Sequence, residues 1–263
     1  MYEMKTRVGF SQVDEKLELP LSGIINQLQD CATFHSQDTG YTAQWLVAQR
    51  RGWFVTDWQI RIHKRPVMGE NVTVRTYPYK ARGALASRYF TITDWDEAPF
   101  ITANSLWVYM DLDRSAPTRA SDEMFKAYGV GAAPTEDFGG RKIHFDGEVS
   151  TVDQIKVDET MIDSNGHVNN GKYIILAEGL LLGKGPFDFY RIEYKDQARN
   201  GDNLLLRRGE QEGRTLVEIT DTDFQPFMRL EALKEARHDD SRSTREAEGV
   251  HGSFTGKQER GKE

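Results

Sequence analysis

Apolar residues recur along this chain with two different periods, and the places where the period changes outline its elements. In residues 21–39 (LSGIINQLQDCATFHSQDT), Ile24, Ile25, Leu28, Cys31 and Ala32 fall on one helical face, with Ser22 available as a cap and Gly40 as a stop. Residues 173–182 (YIILAEGLLL) are apolar almost throughout, which predicts a second helix wrapped on most sides by sheet. After each helix the period drops to two: Ile60 and Ile62, then Val72 and Val74, in the first stretch, and Ile192 and Tyr194, then Leu204 and Leu206, in the second. Each half of the chain therefore reads as one helix followed by antiparallel strands.

The strand blocks also repeat in detail. QIRIHKRPVMGENVT begins at Gln59 and RIEYKDQARNGDNLL at Arg191, so that Gly69, Glu70 and Asn71 align with Gly201, Asp202 and Asn203. Further on, ITDWDEAPF from Ile92 matches ITDTDFQPF from Ile219, each a strand end, a polar turn and a Pro-Phe entry into the next strand. The glycines lie 132 residues apart (201 less 69) and the isoleucines 127 (219 less 92), a difference that a shortened surface hairpin absorbs. Two related α+β domains are expected, residues 1–112 and 149–236. Residues 113–148, rich in Gly, Pro, Ala and charge, read as a linker with a short helix over residues 121–128. The tail, residues 237–263, is polar and expected to be disordered. A long helix enclosed by a curved antiparallel sheet, present twice, resembles a tandem hot dog fold, whose two sheets meet edge to edge as a pseudo-dimer.

Composition narrows the classes of function. Of 263 residues 38% are hydrophobic and 29% charged, and no apolar run is long enough to span a bilayer. The opening MYEMKTRVGFSQVDEK mixes charges where a signal peptide needs an apolar stretch, so a cytoplasmic protein without membrane association is expected. A net charge of −7 argues against nucleic acid as a partner. Cys31 is the only cysteine, which excludes an intramolecular disulfide and a thiolate zinc cluster; its place on an apolar stripe makes it a core residue. No G-x-S-x-G elbow or dinucleotide loop is present.

The chemistry concentrates in DSNGHVNNGKY, starting at Asp163 and running into the second helix. Asp163, Asn165 and His167 place a carboxylate, an amide and an imidazole at alternate positions, beside a helix N-terminus whose free N–H groups can stabilise an oxyanion. The simplest competing reading is a turn and helix cap, for which Asn169 is well suited.

This stretch resembles the D-x-N-x-H-V-N-N motif of plant and bacterial acyl-ACP thioesterases, through Asp163, Asn165, His167, Val168, Asn169 and Asn170. INQLQDCATFHSQDTG, WFVTDWQIRIHKRPVMGENVTV and SLWVYMDLDR are also similar to family segments in family order. The resemblance implies a double hot dog hydrolysing fatty acyl-ACP without metal or organic cofactor, the acyl chain lying in the first domain and the chemistry in the second. Asn169 and Asn170 are candidate substrate contacts. One position departs from the plant pattern: where the family has a catalytic Glu followed by Cys, this chain has Gln197 and Ala198. Gln197 can orient water or thioester but cannot act as a base, so activation of water is expected from Asp163 or His167.

Arg50, Arg51, Arg61, Lys64, Arg65, Arg75, Lys80, Arg82 and Arg88 suggest a basic surface on the first domain. Arg61, Lys64 and Arg65 are candidate contacts for an acidic carrier protein. Alternatives are an acyl-CoA thioesterase and a non-catalytic acyl-binding module, and the pseudo-dimer could act as a monomer or form a homodimer.

Overall fold

A computed structural model describes residues 1–163 and 166–235. In chain order the elements are β1 (Tyr2–Arg7), α1 (Leu21–Asp38), α2 (Ala43–Ala48), β2 (Arg51–Ile62), β3 (Asn71–Arg82), β4 (Leu85–Thr93), β5 (Pro99–Asp111) and β6 (Ala116–Pro117). They continue with α3 (Asp122–Tyr128), β7 (Val149–Lys156), α4 (Asn170–Leu181), β8 (Phe189–Tyr194), β9 (Asn203–Gln211), β10 (Arg214–Thr220) and β11 (Pro226–Leu233).

All these strands join one sheet in the order β1-β3-β4-β5-β2-β8-β11-β10-β9-β7, with β6 attached to β5. Read outward from the seam between β2 and β8, the two halves have the same order, β2-β5-β4-β3-β1 and β8-β11-β10-β9-β7. At the seam Gln59 pairs with Arg191. These two residues are 132 apart, as Gly69 and Gly201 are, so a pseudo-twofold axis passes between them.

The repeat is carried by turn chemistry. Gly69 and Gly201 adopt φ of +85° and +93°, a region in which a side chain is strained. Both ITD segments end in a register shift, at Ile92/Thr93 and Ile219/Thr220. In each following turn the aspartate carboxylate accepts backbone N–H groups, Asp94 from Ala98 at 2.8 Å and Asp221 from Gln225 at 2.8 Å, and the matching residues Glu97 and Phe224 both take positive φ.

Alternation along β2 sends Trp58, Ile60 and Ile62 into the main core, where α1 and α4 pack on the sheet and on each other. This is the double hot dog fold. Cys31 is fully buried in the same core, and burial pushes its thiol up to about 12. One detail of the helices differs from expectation. Ser22 does not cap α1: Pro20 holds the cap position, and the carboxylate of Glu178 on α4 accepts N–H bonds from Leu21 (2.6 Å) and Ser22 (3.2 Å). An anion from the other half thus sits on the positive end of α1. The other helix, α4, is enclosed on most sides as expected, with Tyr173, Ile174, Ala177, Leu180 and Leu181 buried and Ile175 on the one open face.

Asp57, Gln59 and Arg61 alternate with the core residues and point to the opposite face of the sheet, where residues 136–145 lie across both halves as a strap. Gln59 donates to the carbonyls of Phe138, Gly139 and Gly140, Arg141 pairs with Asp57, and Arg229 donates to the Ile143 carbonyl. Ahead of the strap, α3 builds a second small core from Met124 and Tyr128 with Tyr109, against which Trp53 and Leu46 pack.

Candidate active site

The DSNGHVNN segment closes a tight loop. The Asp163 N–H donates to the His167 carbonyl at 2.9 Å, Gly166 turns back to the Asp163 carbonyl with φ of +81°, and Ile162 and Val168 pair as an antiparallel bridge. Val168 is buried beneath the loop and anchors it. Its N–H donates to the carbonyl of Ala198, whose own N–H donates to the Tyr173 hydroxyl at 2.9 Å. The loop, the start of α4 and the segment after β8 are thereby tied into one unit. Asn165 and residues 236–263 lie outside the described residues.

A cleft of about 1060 Å³ opens beside this unit. Its origin is a mismatch at the seam: β2 pairs with β5 from Arg51 to Ile62 but with β8 only from Asp57 to Arg61, so the Arg51–Thr56 edge is left unpaired. His167, Asn170, Tyr194 and Gln197 line the cleft from the second half, and Phe54, Val55 and Val108 from the first. The structure thus brings His167, Asn170 and Gln197 together, and places Asp163, half-buried, at the base of the loop that carries His167.

Other candidates fall elsewhere. The Asn169 side chain accepts the N–H of Gly171 at 2.8 Å and so caps α4. At the helix start the N–H groups of Val168, Asn169, Gly171 and Lys172 are already engaged, so among the described residues only that of Asn170, which lines the cleft, stays available to an oxyanion. Most of the basic run is paired within the protein, while Lys80 and Arg82 are exposed. Arg61 is on the strap face, held by Glu235 at 2.7 Å and by Glu136. Lys64 pairs with Glu70 at 2.9 Å, and Arg65 donates to the Leu19 carbonyl and the Tyr190 hydroxyl, each at 3.1 Å. Arg75 is taken by Glu3 and Glu97, Arg50 by Asp113 and Arg51 by Asp111. Their acidic partners are distant in sequence, which a local charge count misses. These contacts occupy Arg61 and Arg65, while Lys64 stays 56% exposed in its pair with Glu70.

Next to the cleft, under α1 and α2, is a largely apolar cavity of about 120 Å³ lined by Ala32, Leu46, Trp53, Ala86, Trp107 and Phe125. Val55 in the cleft is the cross-strand partner of Trp107 in the cavity, so the two spaces are separated by one residue pair. Buried Arg88 supplies a polar group to the cavity and donates through Nη2 to Nδ1 of His35. Burial, and then the Arg88 charge, hold the His35 imidazole down to about 4, so it is the neutral acceptor that this bond needs.

Because the folded value lies below the ordinary 6.5, the unfolded chain takes up this proton first on acidification. The stability supplied by neutral His35 is complete above pH 6.5 and declines toward pH 4, by on the order of 3 kcal/mol. His35→Gln is expected to flatten that part of the profile relative to wild type, as read by urea unfolding across the same pH range.

Residues 1–128 match the family model described as the acyl-ACP thioesterase N-terminal domain. Over these residues the chain is similar to acyl-ACP thioesterases. Among curated plant relatives, the chloroplastic acyl-[acyl-carrier-protein] hydrolase FATB3 of Cuphea viscosissima is 33% identical over 170 residues, 58% of this chain and 39% of that one. FATB2 of the same plant is 27% identical over 165 residues, 57% and 40% of the respective lengths. The chain thus spans about 40% of the length of these relatives in the matched region. Solved acyl-ACP thioesterase folds superpose over most of both chains. The Bacteroides thetaiotaomicron structure gives a TM-score of 0.77 at 22% identity, covering 89% of this chain and 97% of that one. The 12:0-ACP thioesterase of Umbellularia californica gives 0.75 at 15%, covering 88% and 96%.

Proposed function

We propose that this protein hydrolyses the thioester of fatty acyl-ACP, releasing fatty acid and the carrier thiol. The observation that carries the reading is the convergence of His167, Asn170 and Gln197 on one cleft that abuts an apolar cavity in the other half. In this scheme residues 1–112 hold the acyl chain and residues 149–236 supply the chemistry. The thioester lies at the seam, where β2 leaves its edge open.

Asp163 activates water or attacks the carbonyl itself, and His167 moves the proton. Asn165 positions the water or the carbonyl. Gln197 orients the thioester by hydrogen bonding but takes no proton, because an amide is not a base at neutral pH. Asn170, the first residue of α4, contacts the substrate from the cleft wall. Arg61 and Arg65 are engaged by the protein itself, so of these three Lys64, 56% exposed in its pair with Glu70, is the one best placed to meet the carrier.

Turnover of acyl-ACP and acyl-CoA bearing the same chain tests the substrate class. The reading predicts a kcat/KM at least tenfold higher for acyl-ACP; a preference for acyl-CoA overturns the carrier assignment. Gln197 also favours a second reading, a module that binds acyl groups without cleaving them, since an amide stands where the plant enzymes have a carboxylate. Tight acyl binding without thiol release supports that alternative.

A further inference from the structure

Tyr194 lines the candidate active-site cleft, and its hydroxyl is buried with no hydrogen-bond partner among the described residues. An unpaired hydroxyl away from water is destabilising, so the position calls for an explanation. The fold does not require the oxygen. The residue 132 positions earlier, which occupies the same place in β2 that Tyr194 has in β8, is Ile62, buried and wholly apolar. The phenol stands only in the copy that carries the DSNGH loop.

Its surroundings favour a ligand that accepts a hydrogen bond. Burial, with Tyr173 close by, raises the Tyr194 hydroxyl well above its usual range, so it is a neutral donor at any working pH. In the same cleft the His167 Nδ1 is likewise buried and unpaired among the described residues. The backbone donors expected to serve an oxyanion, those of Val168, Asn169, Gly171 and Lys172, are occupied. At the helix start this leaves the Asn170 N–H, and a side-chain donor beside it would complete a pair for an oxyanion.

We propose that Tyr194 donates its O–H to the thioester carbonyl oxygen. As the attacking oxygen of water or Asp163 adds to the carbonyl carbon, the C=O π pair moves onto the carbonyl oxygen, and the bond from Tyr194 to that oxygen strengthens without transfer of its proton. When the tetrahedral centre collapses, the C–S bond breaks, the sulfur leaves with the pair and the Tyr194 bond returns to its initial strength. This inference rests on the thioester-hydrolase reading of the cleft.

The test is Tyr194→Phe, which removes one oxygen that no described residue bonds. Steady-state thiol release from a fatty acyl-ACP is expected to show kcat lower by about 30- to 300-fold with KM within twofold, the pattern for loss of one oxyanion donor. The melting temperature is expected to stay level or rise. A kcat within twofold of wild type overturns the proposal.

Two non-hydrolysable acyl-pantetheine analogues, an amide that keeps the carbonyl and a thioether that lacks it, separate this proposal from the reading beneath it. Tyr194→Phe should bind the amide about fivefold more weakly than wild type and the thioether equally well. Equal binding of the amide by both proteins overturns the role of Tyr194, whether or not wild type hydrolyses thioesters. Absence of thiol release by wild type, with the amide effect intact, overturns hydrolysis alone.

Discussion

His167→Ala is expected to lower thiol release from acyl-ACP by about a thousandfold with KM nearly unchanged, as for loss of a positioned proton-transfer group. The substitution should leave the fold intact, because the backbone of His167 makes the loop's structural bond, from the Asp163 N–H, and Val168 provides the buried anchor. The melting temperature should therefore stay within about 2 °C of wild type, the shift that well under 1 kcal/mol produces in a chain of this size. His167→Gln, which keeps hydrogen bonding but cannot move a proton at neutral pH, should lose nearly as much. Full activity in the glutamine variant would show that the ring serves only for orientation.

Glu231→Ala is expected to have the largest effect on stability. Glu231 is 1% exposed on the strap face of β11, where it accepts a bond from Arg191 at 2.7 Å and another from Arg214. Those two arginines hold the strap, Arg191 through the Gly140 carbonyl at 2.9 Å and Arg214 through that of His144. Removing the carboxylate leaves two guanidinium groups facing each other under a covering segment. Breaking a fully buried pair costs roughly 3 to 5 kcal/mol, but the arginine side chains keep 22% and 33% exposure, so about 2 to 3 kcal/mol is expected. Thermal denaturation should show a drop of about 5 to 10 °C, and limited proteolysis should cut faster within residues 136–145. Glu231→Gln, isosteric and still an acceptor, should lose about half as much. A melting temperature unchanged in the alanine variant would mean that the strap is held by its other contacts, chiefly those from Gln59 and Arg229.

What could be read from the sequence follows from which interactions are local. The repeat was visible because it is written in short-range turn chemistry: glycines that need positive φ and aspartates that bond backbone a few residues away. The helix spanning Leu21–Asp38 was equally plain, since its apolar stripe and Gly40 stop lie within one stretch. Its cap was not, because Glu178 is 157 residues away from Leu21 and only helix packing brings it there. The basic run was misleading for the same reason: Arg61 meets Glu136 and Glu235, neither of which is near it in the chain. Nor could the strap be told from a free linker, as its attachment is mostly carbonyl groups accepting from distant side chains, to which composition is blind.

At the site, the family-like motif pointed to His167 and Asn170, and the departure from the plant pattern pointed to Gln197. Tyr194 itself was passed over, although its mate in the repeat, Ile62, was a signal: a phenol replacing an aliphatic residue at a core position is a polar atom without a structural need.

The most direct test of the account is a time course of free thiol and free fatty acid from purified protein and acyl-ACP. Equimolar release of both over many turnovers, lost in Asp163→Ala and in His167→Ala, is the predicted result. Tight acyl binding without thiol release, or unchanged release by both variants, would contradict a thioesterase centred on this loop.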